Sequence, residues 1–511
     1  MGPAVDGERA HLSQPISLMM PPPLPGNLEE IESPLHTMGS IMPSQRTLLR
    51  GGTVITMDPR YGTLPSADIL IENGLIEKVA PRIEADAEII DVSGHIVMPG
   101  LIDTHRHTWQ TQLRSLCADW TLIDYIYAVR LAVSPAYTAE DIHLGNRLGS
   151  LDAINAGVTT LLDFSHCTNS PEHADAAITG LRDAGIRAVF GYGFYESSPA
   201  APPHYATHAE RLADLSRVAE TWFPGRDGLL TLGVSLTEQE TIPFETVRAE
   251  ILAAREHDAL MVTHTGSVWG AHTGIAELAA AGLLGPDQVH VHCNALGDDD
   301  WRLLAQHGAK VSISPETELN MGMGRPVFGA LERFGIKPTL SCDITSFNSG
   351  DLFTQMRVGL GFHRWAETED MNLRGVNPEQ VKLSAEAALE WTTTNAADAI
   401  GLADRIGMIK AGMNADVIVI GGQSTSQHPQ LNPAGTVVFQ TGPQDVRHVL
   451  INGRFVKRDG ALVGVDLPQL LTAADDSATG ILQRVEKTGR QLPGTPPQGW
   501  QSLPVSIIAP A

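Results

Sequence analysis

From residue 95 to residue 343 the chain repeats one alternation, a short apolar run followed by a longer stretch in which Ala and Leu recur among charges. The apolar runs are HIVMPGLIDTH (95–105), TTLLDFS (159–165), RAVFGYGF (187–194) and LLTLGVSL (229–236), then ALMVTH (259–264), QVHVHC (288–293), AKVSISP (309–315) and KPTLSCD (337–343). Strands covered on both faces read this way, because neither face can be polar. The intervening segments, such as SPEHADAAITGLRDAGI (170–186) and FETVRAEILAAREHD (244–258), carry helical periodicity. Eight strands alternating with helices predict an α/β fold, a (β/α)₈ TIM-type barrel. A doubly wound open sheet is the alternative, but no G-x-G-x-x-G follows an early strand.

The pattern changes toward both ends. RTLLRGGTVITM and ADILIENGLIEKVA surround Asn73-Gly74, and VRHVLINGRFVKRDGALV surrounds Asn452-Gly453. Asn-Gly between apolar stretches signals a tight hairpin. One hairpin is marginal alone, so the two pieces are expected to combine into a small composite β-sandwich domain. The expected division is a flexible extension over 1–45, the first part of the small domain over 46–97 and the barrel over 98–400. The second part of the small domain follows over 401–465, with a helix and Pro-rich tail over 466–511.

Composition narrows the partners. A net charge of −24 over 511 residues argues against nucleic acid and against an anionic membrane. No apolar run is long enough to span a bilayer, and the first 45 residues lack the pattern of a secretory signal. The four cysteines form no C-x-x-C pair, which fits a reducing, cytoplasmic setting. The expected partner is a small-molecule substrate.

The chemistry lies where the strands stop. His105 and His107 end the first run one residue apart, so both face the same side. His166 follows the second run, His264 ends the fifth, His292 the sixth and Asp343 the eighth. In a barrel these C-terminal ends converge on one mouth. Four histidines and an aspartate arriving there from strands one, five, six and eight point to a metal site, since neutral imidazole is the commonest nitrogen ligand. His290, one layer below His292, reads as structural.

The segments PGLIDTHRH, VTHTG, HCNAL and SCD, with TTNAADAIGLADRIGMIKAGMNADVIVI (393–420) and VLINGRFVKRDG, resemble the amidohydrolase superfamily. The likeness is to its cytosine deaminase-like, chlorohydrolase-like branch with one metal. It implies that His105, His107, His264 and Asp343 bind one divalent ion per chain, zinc before iron or manganese. It also implies that Asp343 and His292 are catalytic, and that the protein is a homo-oligomer, dimer or higher. Strand four ends in GVSLTEQE without a lysine, which disfavours a second metal.

One position departs from that pattern. Ser267 stands where deaminases of this branch carry a glutamate, and Glu196, Glu316 or Glu318 are possible substitutes from other strand ends. Gln110, Trp109, His166, Ser267 and Glu318 are the substrate-facing candidates. Trp120, Tyr125 and Tyr127 suit either a lid or subunit packing. The expected activity is hydrolysis of a non-peptide carbon–nitrogen bond in a small, cyclic, nitrogen-containing substrate, with ring amides placed slightly ahead. The alternatives are deamination of a nucleobase-like or triazine-like ring, hydrolytic dechlorination, and a non-enzymatic scaffold or binding module on the same fold.

Overall fold

The computed structural model describes residues 46–195, 203–225, 227–422 and 424–493. The extension over 1–45, Glu196 and the end of the Pro-rich tail lie outside the described residues. Eight parallel strands form the barrel: β1 Leu101–Arg106, β2 Val158–Ser165, β3 Arg187–Gly193, β4 Leu230–Ser235, β5 Leu260–Thr265, β6 Gln288–His292, β7 Lys310–Ile313 and β8 Pro338–Leu340. Each pairs with the next in chain order. The ring closes through the site residues themselves. The Asp343 N–H donates to the His105 carbonyl at 3.0 Å, and the His107 N–H donates to the Asp343 carbonyl at 2.8 Å.

The apolar run over 95–105, read above as one strand, is two. His95–Pro99 belongs to the small sheet and β1 to the barrel, with Gly100 between them. The reason is steric, since a Cβ on Gly100 would lie 2.1 Å from Thr159 Oγ1. Only glycine lets the chain cross from one sheet to the other there.

The small sheet unites Arg46–Ile55, Thr63–Glu72, Leu75–Ala80, Glu88–Asp91 and His95–Pro99 with Val417–Gly421, Val446–Ile451, Arg454–Arg458 and Ala461–Leu462. It is thus composite, as expected, and its nine strands are joined by hydrogen bonds into one sheet. Arg46–Ile55 makes this possible by pairing with three neighbours while shifting register at Gly52. Both Asn-Gly turns have positive φ at each position, 52° and 85° at Asn73-Gly74 and 51° and 74° at Asn452-Gly453. Asp416 ties this sheet to the barrel: it accepts from Arg187 Nε at 2.6 Å and Nη2 at 3.0 Å, and from the Asn452 N–H at 2.7 Å. Among the described residues no helix is long and apolar enough to cross a membrane.

The four thiols are buried and unpaired. Burial pushes Cys117 and Cys167 up to about 12, which makes them inert filler.

Candidate metal centre

β1, β5 and β6 each end in the imidazoles that face the mouth, and Asp343 follows β8 by three residues. Two of these positions are strained. His292 and Asp343 hold φ of 70° and 58°, and Cys293 follows at 60°, a left-handed region that residues with a Cβ enter rarely. Such strain persists where the surroundings over-determine it. Here the Asp343 backbone is held at N by His105 and at O by His107, and the Cys293 N–H donates to the Thr265 carbonyl at 3.0 Å.

The side chains converge closely. His105 Nε2 and His107 Nε2 lie 3.2 and 3.4 Å from Asp343 Oδ1. His107 Nε2 is 3.2 Å from His264 Nε2. His107 Nδ1 faces the Phe164 carbonyl at 3.1 Å, and His264 Nδ1 faces Glu238 Oε1 at 2.8 Å. Both of those partners only accept, so each Nδ1 carries a proton, which leaves Nε2 as the nitrogen that can offer a lone pair inward. Two lone pairs 3.2 Å apart repel unless a cation lies between them. Two nitrogens on one tetrahedral zinc, each at about 2.0–2.1 Å, would lie about 3.3 Å apart. His105 Nε2 is enclosed without a hydrogen-bond partner, as a ligand atom would be. The donor set therefore fits a divalent ion.

Burial, the largest influence, lowers His105 to about 4 and His107 well below its ordinary value, which keeps both in the neutral, ligating form. Burial alone would raise Asp343, but the imidazoles around it, His105 first, hold it far below the usual carboxylate range. His292 stands apart. Burial favours its neutral form, yet the Glu318 carboxylate, 3.2 Å from Nδ1, raises it overall. Its Nε2 faces Asp343 Oδ2 at 3.9 Å.

The remaining sequence candidates fall in several places. Glu318 is wholly buried behind His292 and also accepts from the Ser314 N–H at 2.8 Å. His166 stacks on His107 with centroids 4.0 Å apart, and its Nδ1 accepts from Trp109 Nε1 at 2.9 Å. Gln110 is occupied by the Tyr125 hydroxyl and by Ser346. Trp109 and Gln110 are fully buried. Ser267 follows β5 with an enclosed hydroxyl that has no partner. Glu316 is bound by Ser349 and Gln355, and His290 by Thr265. Trp120 and Tyr125 are buried and Tyr127 half-buried. Sequence reasoning missed Glu238, just past β4. The only signal was a pair of acids in TEQE, a stretch read for its missing lysine. The His264 side chain is 13% exposed and Glu238 25%, against 5% or less for His105, His107, His292 and Asp343, so the mouth opens on the β4–β5 side.

Among known proteins, the sequence model of the Amidohydrolase family matches residues 96–456. A 5-methylthioadenosine/S-adenosylhomocysteine deaminase of Syntrophobacter fumaroxidans is 30% identical over 445 residues, covering 83% of this chain and 95% of that protein. A zinc-bound adenosine deaminase from Xanthomonas campestris superposes with a TM-score of 0.72 at 22% identity, covering 86% of this chain and 98% of that one. A variant atrazine chlorohydrolase from Arthrobacter aurescens TC1, complexed with zinc and atraton, superposes with a TM-score of 0.74 at 20% identity, covering 84% and 100%.

Proposed function

The chain belongs to the Amidohydrolase family, and from that premise we propose that it removes an exocyclic amine from a small nitrogen-containing ring by hydrolysis. The observation that carries this is the pair of inward Nε2 atoms of His107 and His264, 3.2 Å apart beside Asp343 and His105. His105, His107, His264 and Asp343 would hold one divalent ion, zinc by preference. Such an ion, when bound, supplies the Lewis acidity that brings a water molecule's pKa toward neutrality.

The protein's own groups do the rest. Asp343 takes a proton from the attacking water. Oδ2 is the oxygen free to do so, since Oδ1 is the one facing His105 and His107. His292, protonated on both nitrogens, donates from Nδ1 to Glu318 and from Nε2 to the water-derived oxygen as it bonds to the ring carbon. His166 and Trp109 hold the His107 ring by stacking and by their mutual hydrogen bond. Ser267 cannot carry a proton as a carboxylate does, which favoured ring amides on sequence alone. The deaminase relative and the Glu238 carboxylate beside the mouth move the preference to an aminated ring.

Metal content per chain, by plasma mass spectrometry on protein purified without chelator, tests this directly. About one ion per chain, lost in His264→Ala, together with ammonia release from aminated purines or triazines, is the expected result. A folded protein that takes up no zinc, iron or manganese would overturn the reading.

A further inference from the structure

Two helices that carry none of the proposed catalytic ligands bring together a second cluster of donors. Glu332 lies on the helix Phe328–Phe334, and His363 and Glu367 lie on the helix Leu352–Leu373. Four residues apart, His363 and Glu367 share one face of their helix, a single turn from each other. The His363 side chain is 3% exposed, and its Nε2 is enclosed with no hydrogen-bond partner. That nitrogen faces Glu332 Oε2 at 4.0 Å, too far for a hydrogen bond. One donor atom from each of the three residues lies within 4.8 Å of the other two. Glu332 is exposed and Glu367 half-buried, so the cluster opens to solvent through its carboxylates.

We propose that Glu332, His363 and Glu367 form a second divalent-cation site, separate from the barrel mouth, which clamps these two helices together. An enclosed ring nitrogen with nothing to bond is rare, and an ion between it and the two carboxylates satisfies it. Two donors on one tetrahedral zinc lie about 3.3 Å apart, so the exposed Glu332 carboxylate closes the gap by moving less than about 1 Å. Three protein donors leave the fourth position to water. The imidazole selects the ion. Calcium and magnesium take oxygen donors, whereas zinc, nickel and copper accept nitrogen as well.

The surroundings of His363 suit a ligand. Burial outweighs the charges of Glu367 and Glu332 and holds the ring below its ordinary value. It is therefore neutral at pH 7, and a bound ion selects the tautomer with the lone pair on Nε2. The Phe328 ring packs against it with centroids 5.9 Å apart. One group competes for the site: the Lys382 ammonium pairs with Glu367 Oε2, and an incoming ion displaces it. The cluster thus holds its ion more loosely than the buried centre does. Protein purified without chelator keeps the catalytic ion, and added zinc supplies the second.

The test is equilibrium dialysis against zinc alone, raised in steps, with zinc per chain counted by plasma mass spectrometry. Wild type is expected to bind one equivalent more than the double variant Glu332→Gln with Glu367→Gln, whose changes lie on the solvent side of the cluster. His363→Gln, checked for folding by circular dichroism, should lose the same equivalent; should it not fold, the carboxylate variant decides alone. His264→Ala should keep that equivalent, so the comparison holds whatever the barrel mouth binds. Lys382→Met removes the competitor and should tighten the second equivalent about two- to fivefold, the worth of an exposed ion pair. Excess magnesium should not displace it. An equal zinc count in wild type and the double variant overturns the assignment. So does a second equivalent that survives in folded His363→Gln, yields readily to magnesium, or binds no tighter in Lys382→Met.

Discussion

At the scale of single residues, the centre depends on which nitrogen of each imidazole carries its proton. His264 is the instructive case, being the most exposed of the proposed ligands, with its far nitrogen held by one hydrogen bond, Nδ1 to Glu238 Oε1 at 2.8 Å. Burial would raise the Glu238 carboxyl, but the His264 hydrogen bond outweighs it and keeps the group ionised. A charged acceptor on the far nitrogen fixes the tautomer and makes the ligating nitrogen more basic. Glu238→Gln is therefore expected to weaken metal binding about 10- to 100-fold, read by competition against a chelator of known affinity. An unchanged dissociation constant would mean that the strand alone orients His264. The proposed ligands could be found in the sequence because each ends an apolar run, where the alternation itself sets the direction of the side chain. Glu238 could not, because it lies past the strand, where no period fixes direction. The role of Glu238 depends on a neighbour distant in sequence, His264.

At the scale of elements, the segment carrying Glu238 is pinned from below. Glu250, on the helix Phe244–Glu256, accepts from the Thr237 N–H and from Thr237 Oγ1, both at 2.9 Å. It is completely buried, and burial pushes its carboxyl up to about 8. The sign follows from linkage. In the unfolded chain this group ionises near its ordinary value, so its contribution is fully present below that value and is lost as pH rises toward 8. The slope is up to about 1.4 kcal/mol per pH unit for one proton. Glu250→Gln removes that slope, so the stability gap between wild type and variant should close as pH rises from about 5 to 8. Denaturant melts across that range would expose the error if the two curves ran parallel. Element boundaries show the same limit on legibility as Glu238 does. All eight barrel strands could be placed because covering helices forbid polar positions on either face. The break at Gly100 could not, because its cause is the Thr159 side chain in β2, and apolar runs in two sheets look like one.

At the scale of the whole molecule, the small sheet and the barrel share one unit of the chain, Ser44–Ala511, and a buried ion pair sits where they meet. Arg187 opens β3, Asp416 precedes Val417–Gly421, and both are about 4% exposed. Asp416 also receives the Asn452 N–H at 2.7 Å, and its carbonyl accepts from the Gly100 N–H at 2.9 Å. One residue thus anchors the barrel, a hairpin turn of the small sheet and the glycine crossing that leads into β1. Removing one partner of such a pair leaves a buried charge uncompensated, at a cost of about 3–5 kcal/mol. Asp416→Ala should therefore lower stability by about that amount, whereas Arg187→Met with Asp416→Leu, which removes both charges, should recover much of it. If the two parts fold together, the single variant melts in one transition, displaced as a whole, and its zinc content per folded chain is unchanged. Two separate transitions would show instead that the small sheet comes apart on its own. His105 and His107, held by the strand that Gly100 feeds, would then keep their geometry without it.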